Sequence, residues 1–124
     1  MLTKLVNILL LLTLIGLPCH QALSEELPGF KVGQDINAIF GCYDKTDVVA
    51  LVKLDKQDVE AGYLFFRDLL KKRWCVAGPM GVFIQGKVVS VIETYKDSEG
   101  ETVQMVEYKY KSITLYTISY VRAA

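Results

Sequence analysis

The apolar pattern of this chain changes period once, at Gly78-Pro79-Met80-Gly81. Upstream, Val59, Tyr63, Phe66 and Leu70 recur every three or four residues, widened by Phe65 and Leu69, which is one face of an α-helix. Downstream the side chains alternate. Val106, Tyr108 and Tyr110 interleave with Glu107, Lys109 and Lys111, and Tyr116, Ile118 and Tyr120 with Leu115, Thr117 and Ser119. Helices first and strands second segregate the two kinds of structure, so the expected class is α+β rather than an alternating fold on a parallel sheet.

Local signals place the elements. Asp44-Lys45-Thr46-Asp47 offers helix-start side chains ahead of Val48, Val49, Leu51 and Val52, and Asp55-Lys56-Gln57-Asp58 offers them again. We expect a short helix over 45–53 and a longer one over 56–73, with residues 25–43 as an irregular lead-in. Lys71-Lys72-Arg73 closes the longer helix, where cations complement its dipole; an anion-binding patch is the alternative. Gly62 permits close packing against the short helix or the sheet. Past the breaker, strands are expected over 82–85, 88–95, 101–111 and 113–121, with a turn at Asp97-Ser98-Glu99-Gly100. The two-sided pattern of 88–95 favours a four-stranded antiparallel curled sheet or SH3-like partial barrel, spanning about 81–122.

The first residues are of another kind. Lys4 is followed by an apolar run over 5–17, too short for the roughly 20 residues of a membrane-spanning helix. A charged start, a short apolar run and small residues beyond it read as a secretory signal peptide over 1–24, cut between Ser24 and Glu25. Cleavage after Ala22 would set the bulky His20 three residues before the cut. A lipoprotein anchored through Cys19 is disfavoured, because Leu17-Pro18 lacks the small residues such a signal wants. The expected location is periplasmic or secreted, with membrane contact only through the signal peptide during export. Residues 25–124 then form one α+β domain.

Trimming alters the chemistry available. The whole chain has 14 basic and 14 acidic side chains, one histidine and three cysteines; without residues 1–24 it loses Lys4, His20 and Cys19, leaving 100 residues and a net charge of −1. With no histidine, Ser-His-Asp and Cys-His nucleophiles cannot be built. No metal, cofactor or phosphate-cradling glycine loop is indicated. Paired carboxylates remain, with Asp55, Asp58, Glu60 and Asp68 as candidates and Glu93 and Glu107 downstream, but the first four read as solvated helix surface. An enzyme is therefore not expected. Nor is a nucleic-acid binder, since the net charge cannot neutralise phosphates. The two remaining cysteines, Cys42 and Cys75, most simply form a disulfide in an oxidising compartment, free or redox-active thiols being the alternative.

Gly41-Cys42 before a helix, Cys75 after Leu69-Leu70-Lys71-Lys72-Arg73-Trp74, and a β tail carrying VSVIE and YTISYV complete a recognisable order of parts. Over residues 40–121 this layout resembles small exported bacterial proteins of unknown function with a two-cysteine helical front half and an SH3-like β tail. The resemblance implies a bacterial envelope setting and carries no catalytic residues with it. The expected function is a non-enzymatic binding protein of that envelope. Its candidate interaction surface is Tyr95, Tyr108, Tyr110, Tyr116, Tyr120 and Met80, because tyrosine joins contact area to a hydrogen-bonding tip; the competing use of these tyrosines is to fill a thin core. The alternative function is a small inhibitor of a secreted lysozyme or protease, acting through residues 77–81 beside Cys75. Both readings leave the partner an unidentified protein or envelope ligand.

Overall fold

A computed structural model describes residues 29–121. The expected signal peptide over 1–24, Cys19, the expected Ser24–Glu25 cleavage site and the start of the lead-in lie outside the described residues. Within them run β1 (Asp35–Ala38), β2 (Phe40–Cys42), α1 (Lys45–Gln57), α2 (Val59–Lys71), β3 (Cys75–Ala77), a 3₁₀ turn (Pro79–Gly81), β4 (Ile84–Lys96), β5 (Thr102–Tyr110) and β6 (Ile113–Tyr120). The class is α+β, with two helices and a curled antiparallel sheet.

That sheet has six strands in the order β1-β4-β5-β6-β2-β3, not the expected four. The lead-in is not wholly irregular, since it supplies β1 and β2, and Cys75–Ala77 adds β3. The expected strands at 82–85 and 88–95 are one strand, β4, continuous through Gly86-Lys87. Its register against β5 shifts between Val88 and Ser90 and again between Val91 and Glu93. Each bulge bends and twists the strand.

Curling is forced by the chain itself. β1 pairs with β4 and β2 pairs with β6, four strand positions apart in the sheet order. In a flat sheet that separation is about 19 Å, at roughly 4.8 Å per strand. Ala38 and Phe40 flank the single residue Ile39 and so stand at most about 7 Å apart. One segment therefore pairs with both sides, and the sheet wraps into a partial barrel.

Two apolar layers result. Ile36, Ala38, Val88, Val106, Tyr108 and Leu115 converge from four strands to fill the inside of the curl. On the other layer Val48, Leu51, Val52 and Leu69 of the helices meet Phe40, Cys42, Cys75, Tyr95, Val103 and Met105. In the interior layer, the Tyr108 ring is accommodated by two glycines. A Cβ on Gly41 would sit 2.8 Å from Leu115 Cδ1 and against the Tyr108 hydroxyl, and one on Gly86 would press on Lys109 O and lie 2.7 Å from Tyr108 Cδ2.

Helix boundaries follow their caps. The Asp44 carboxylate accepts from Thr46 N at 2.9 Å to start α1, and Asp58 accepts from Glu60 N at 3.0 Å to start α2. Asp55 is not a start signal for α2 but lies in α1, which ends at Gln57 rather than near 53. It extends the buried stripe Val48, Leu51, Val52 by one turn. At the far end Arg73 takes φ 64°, while Arg73 N bonds Leu70 O and Trp74 N bonds Leu69 O. This is the left-handed cap that ends a helix and reverses the chain, and it delivers Cys75 to Cys42. The two are cross-strand partners on β2 and β3, buried, and joined by a disulfide.

Candidate functional site

Residues 78–83 carry the chain from β3 to β4 across one end of the barrel. Gly78 N–H donates to Ile39 O at 3.4 Å, and Val82 N–H closes the turn on Pro79 O at 2.9 Å. Met80 stands at the tip and is 99% exposed; Val82 is 61% and Phe83 53% exposed. Beside the turn lies a cleft of about 200 Å³ whose walls include Tyr43, Val76, Pro79, Ile84, Tyr110 and Ile113. Tyr43 and Ile113 are themselves exposed, as is Ile39, whose carbonyl meets Gly78. Loop and cleft together make one apolar end.

Met80 is the informative residue. Its backbone lies in the left-handed region, at φ 56° and ψ 29°, which costs a residue with a Cβ roughly 1–2 kcal/mol. Burial does not offset that cost, because the side chain makes almost no contact with its own fold. Backbone preference would be better met by glycine and solubility by a polar side chain. Thioether side chains exposed in this way suit adaptable apolar binding.

A second cluster ties the helices to the barrel. Asp55 is 4% and Tyr95 7% exposed, and the Tyr95 hydroxyl donates to Asp55 Oδ2 at 2.8 Å. Burial pushes the Asp55 carboxyl above its ordinary value; the Tyr95 hydrogen bond opposes the rise and the Asp97 charge adds to it. Burial, then the Asp55 hydrogen bond and charge, also raise the Tyr95 phenol. Ser98 N donates to Asp55 O at 2.9 Å, and Ser98 Oγ accepts from Val59 N at 2.8 Å. Asp97 is buried as well; its Oδ1 accepts from Glu99 and Glu101 N–H, while its Oδ2 has no hydrogen-bond partner. The expected turn at 97–100 is present.

The remaining carboxylates are engaged one by one. Asp58 caps α2, Asp68 pairs with Lys72 at 3.0 Å, Glu93 with Lys56 at 2.6 Å, and Glu107 accepts from Ser90 Oγ at 3.1 Å. Glu60 is exposed. The reading of these acids as helix surface fails at Asp55, whose neighbouring acid is Asp97, a residue that sequence reasoning had assigned only to a turn. Among the described residues no three His, Cys, Asp or Glu side chains gather as a metal-binding group.

The five tyrosines do not form one face. Tyr95 lies in the helix-side layer and Tyr108 inside the curl, its hydroxyl donating to Phe40 O at 2.9 Å and its phenol raised by burial. Tyr116 is half-buried against the helix-side layer. Tyr120 is exposed and lines a separate cleft of about 140 Å³ with Asp55, Tyr63 and Phe66. Tyr110 alone joins the Met80 end. Tyr95 and Tyr108 are thus removed from any surface, because their rings are core and their hydroxyls are satisfied inside it. Ile39, Tyr43, Val82, Phe83 and Ile113 were missed. The run Met80-Gly81-Val82-Phe83 held a signal, since it puts apolar residues in succession beside a breaker, without alternation.

No protein-family model, no curated protein and no solved structure matches this chain.

Proposed function

We propose that this chain is an exported, non-enzymatic binding protein of the bacterial envelope, engaging its partner through the apolar end built by residues 78–83 and the adjoining cleft. The observation that carries the reading is Met80, held in an unfavourable backbone conformation and fully exposed. The disulfide supports an oxidising location such as the periplasm, and no described helix is long and apolar enough to cross a membrane. The curled sheet is read as an SH3-type barrel that works at one end.

Capture from envelope extracts tests this, with wild type and Met80→Asp immobilised side by side. Retention of an envelope component by wild type, lost in the variant at an unchanged thermal midpoint, is expected. Equal retention by both proteins, or none by either, refutes the reading.

A protruding turn two residues beyond a disulfide-tied strand also favours the second reading, an inhibitor that inserts residues 77–81 into a secreted lysozyme or protease. Enzyme activity that falls stoichiometrically with wild type and not with Met80→Asp would select it.

A further inference from the structure

We propose that this apolar end docks on an anionic lipid surface, Met80, Val82 and Phe83 entering the headgroup region while lysines set back from them meet the lipid phosphates. The inference rests on the reading that residues 78–83 form the binding surface, and names what they bind.

A second, open groove of about 530 Å³ lies on β4 and β5, the strands that also supply Ile84 and Tyr110 to the apolar cleft. Ile84 and Tyr110 line the cleft; their chain neighbours Gln85, Lys109 and Lys111, with Lys87, line the groove. Lys87 and Lys109 are direct cross-strand partners. Like charges placed opposite one another destabilise a sheet, and only one of the two is compensated, by Asp35 Oδ1 at 2.6 Å from Lys87 Nζ. Lys109 and Lys111 make no salt bridge among the described residues. The groove lining thus carries three lysines against one carboxylate, an excess of two positive charges on the strands that also wall the apolar cleft.

The opposite flank is aromatic. Tyr43 lines the cleft and a neighbouring hollow with Trp74; its N–H donates to Trp74 O at 3.2 Å, and Lys72 Nζ stands 4.9 Å from the Trp74 ring. Asp44, Asp47 and Arg73 share that hollow, and with Lys72 over Trp74 it carries no excess of either sign, so the surplus positive charge belongs to the Lys87, Lys109 and Lys111 side. A projecting apolar tip, lysines behind it, and a Trp–Tyr pair alongside match a layered partner that is apolar within and anionic at its surface.

The test is co-sedimentation of the full mature chain with vesicles of phosphatidylcholine, alone or mixed with phosphatidylglycerol, followed also by the fluorescence of Trp74, the sole tryptophan. Binding to the anionic vesicles only, reversed by high salt, is expected. Each lysine at an anionic surface is worth roughly fivefold in partition, so Lys109→Gln with Lys111→Gln lowers it roughly 25-fold. Met80→Asp lowers it about tenfold or more. All three positions are exposed, and unchanged thermal midpoints establish that the variants fold. Absence of sedimentation, binding indifferent to phosphatidylglycerol, or binding unmoved by the lysine pair overturns the inference. If vesicles fail while Met80-dependent capture from envelope extracts persists, lipid docking falls and the envelope-binding reading stands on a protein partner. If both fail, both are wrong.

Discussion

Reducing the Cys42–Cys75 bond is the most quantitative perturbation of this fold. The cysteines are 33 positions apart, and the loop they close contains both helices entire. Chain-entropy arithmetic for a loop of that length gives about 3.7 kcal/mol of stabilisation, through the unfolded ensemble. Domains of this size have only about 5–15 kcal/mol in all. At roughly 4–8 °C per kcal/mol, reduction lowers the midpoint by roughly 15–30 °C. Urea unfolding with and without reductant measures the free energy directly. It also reads the slope against urea, which rises on reduction because an uncrosslinked unfolded chain exposes more surface. A double Cys42→Ala, Cys75→Ala variant loses the same loop term and, both sites being buried, about 1 kcal/mol more for each deleted sulfur. A change below about 1 kcal/mol on reduction, with an unaltered slope, would refute the closed-loop account.

Four single substitutions give further outcomes. Because burial raises the Asp55 carboxyl above its ordinary 3.8, the folded state binds protons where the unfolded state has released them, so stability falls as pH rises from about 4 through the folded value. Asp55→Asn keeps an acceptor for Tyr95 and flattens that slope in stability measured across pH; an unchanged slope contradicts the assignment. Tyr95→Phe strips the carboxylate of its hydrogen bond and costs roughly 1.5–3 kcal/mol near neutrality by chemical denaturation, where a loss within error would show the pair to be idle. Gly86→Ala drives a Cβ onto Lys109 O and the Tyr108 ring, for a loss of about 1–3 kcal/mol. Lys56→Ala, breaking the exposed pair with Glu93, changes stability by under about 1 kcal/mol.

Features set by near neighbours were legible in the sequence. The helical stripe 59–70, the turn at 97–100 and the alternation of β5 and β6 are each written in consecutive residues. Strands β1 and β2 were harder, yet Ile36, Ala38, Phe40 and Cys42 do alternate, and all four are buried. What hid them is brevity, Gly33 and Gly41 nearby, and partners that lie far along the chain. That tyrosines could fill the core was legible, but not that Tyr95 and Tyr108 are the ones that do. Each sits in a run that reads equally as half-exposed strand, and the atoms satisfying its hydroxyl come from 40 and 68 residues away. Asp55 misled in the other direction. Asp55-Lys56-Gln57-Asp58 reads as a second helix start, and a carboxylate there reads as surface until its tyrosine is known. The Met80 end is only partly legible, because Val82 and Phe83 run into Ile84 and read as strand.

The seam made by β1 and β2 also orders events in time. Asp35 must find Lys87, and Cys42 must find Tyr116. A ribosome therefore releases the first strands long before their mates, and the barrel cannot close until the last strand is made. Non-local pairing of this sort slows folding. The helical hairpin is local and can form early, bringing Cys42 and Cys75 together while the sheet is still open. We expect oxidation to precede closure, so that the crosslink fixes where β2 stands when β6 at last arrives. Delayed oxidation should accordingly show as a slow refolding phase that vanishes when the chain is refolded with its cysteines already joined.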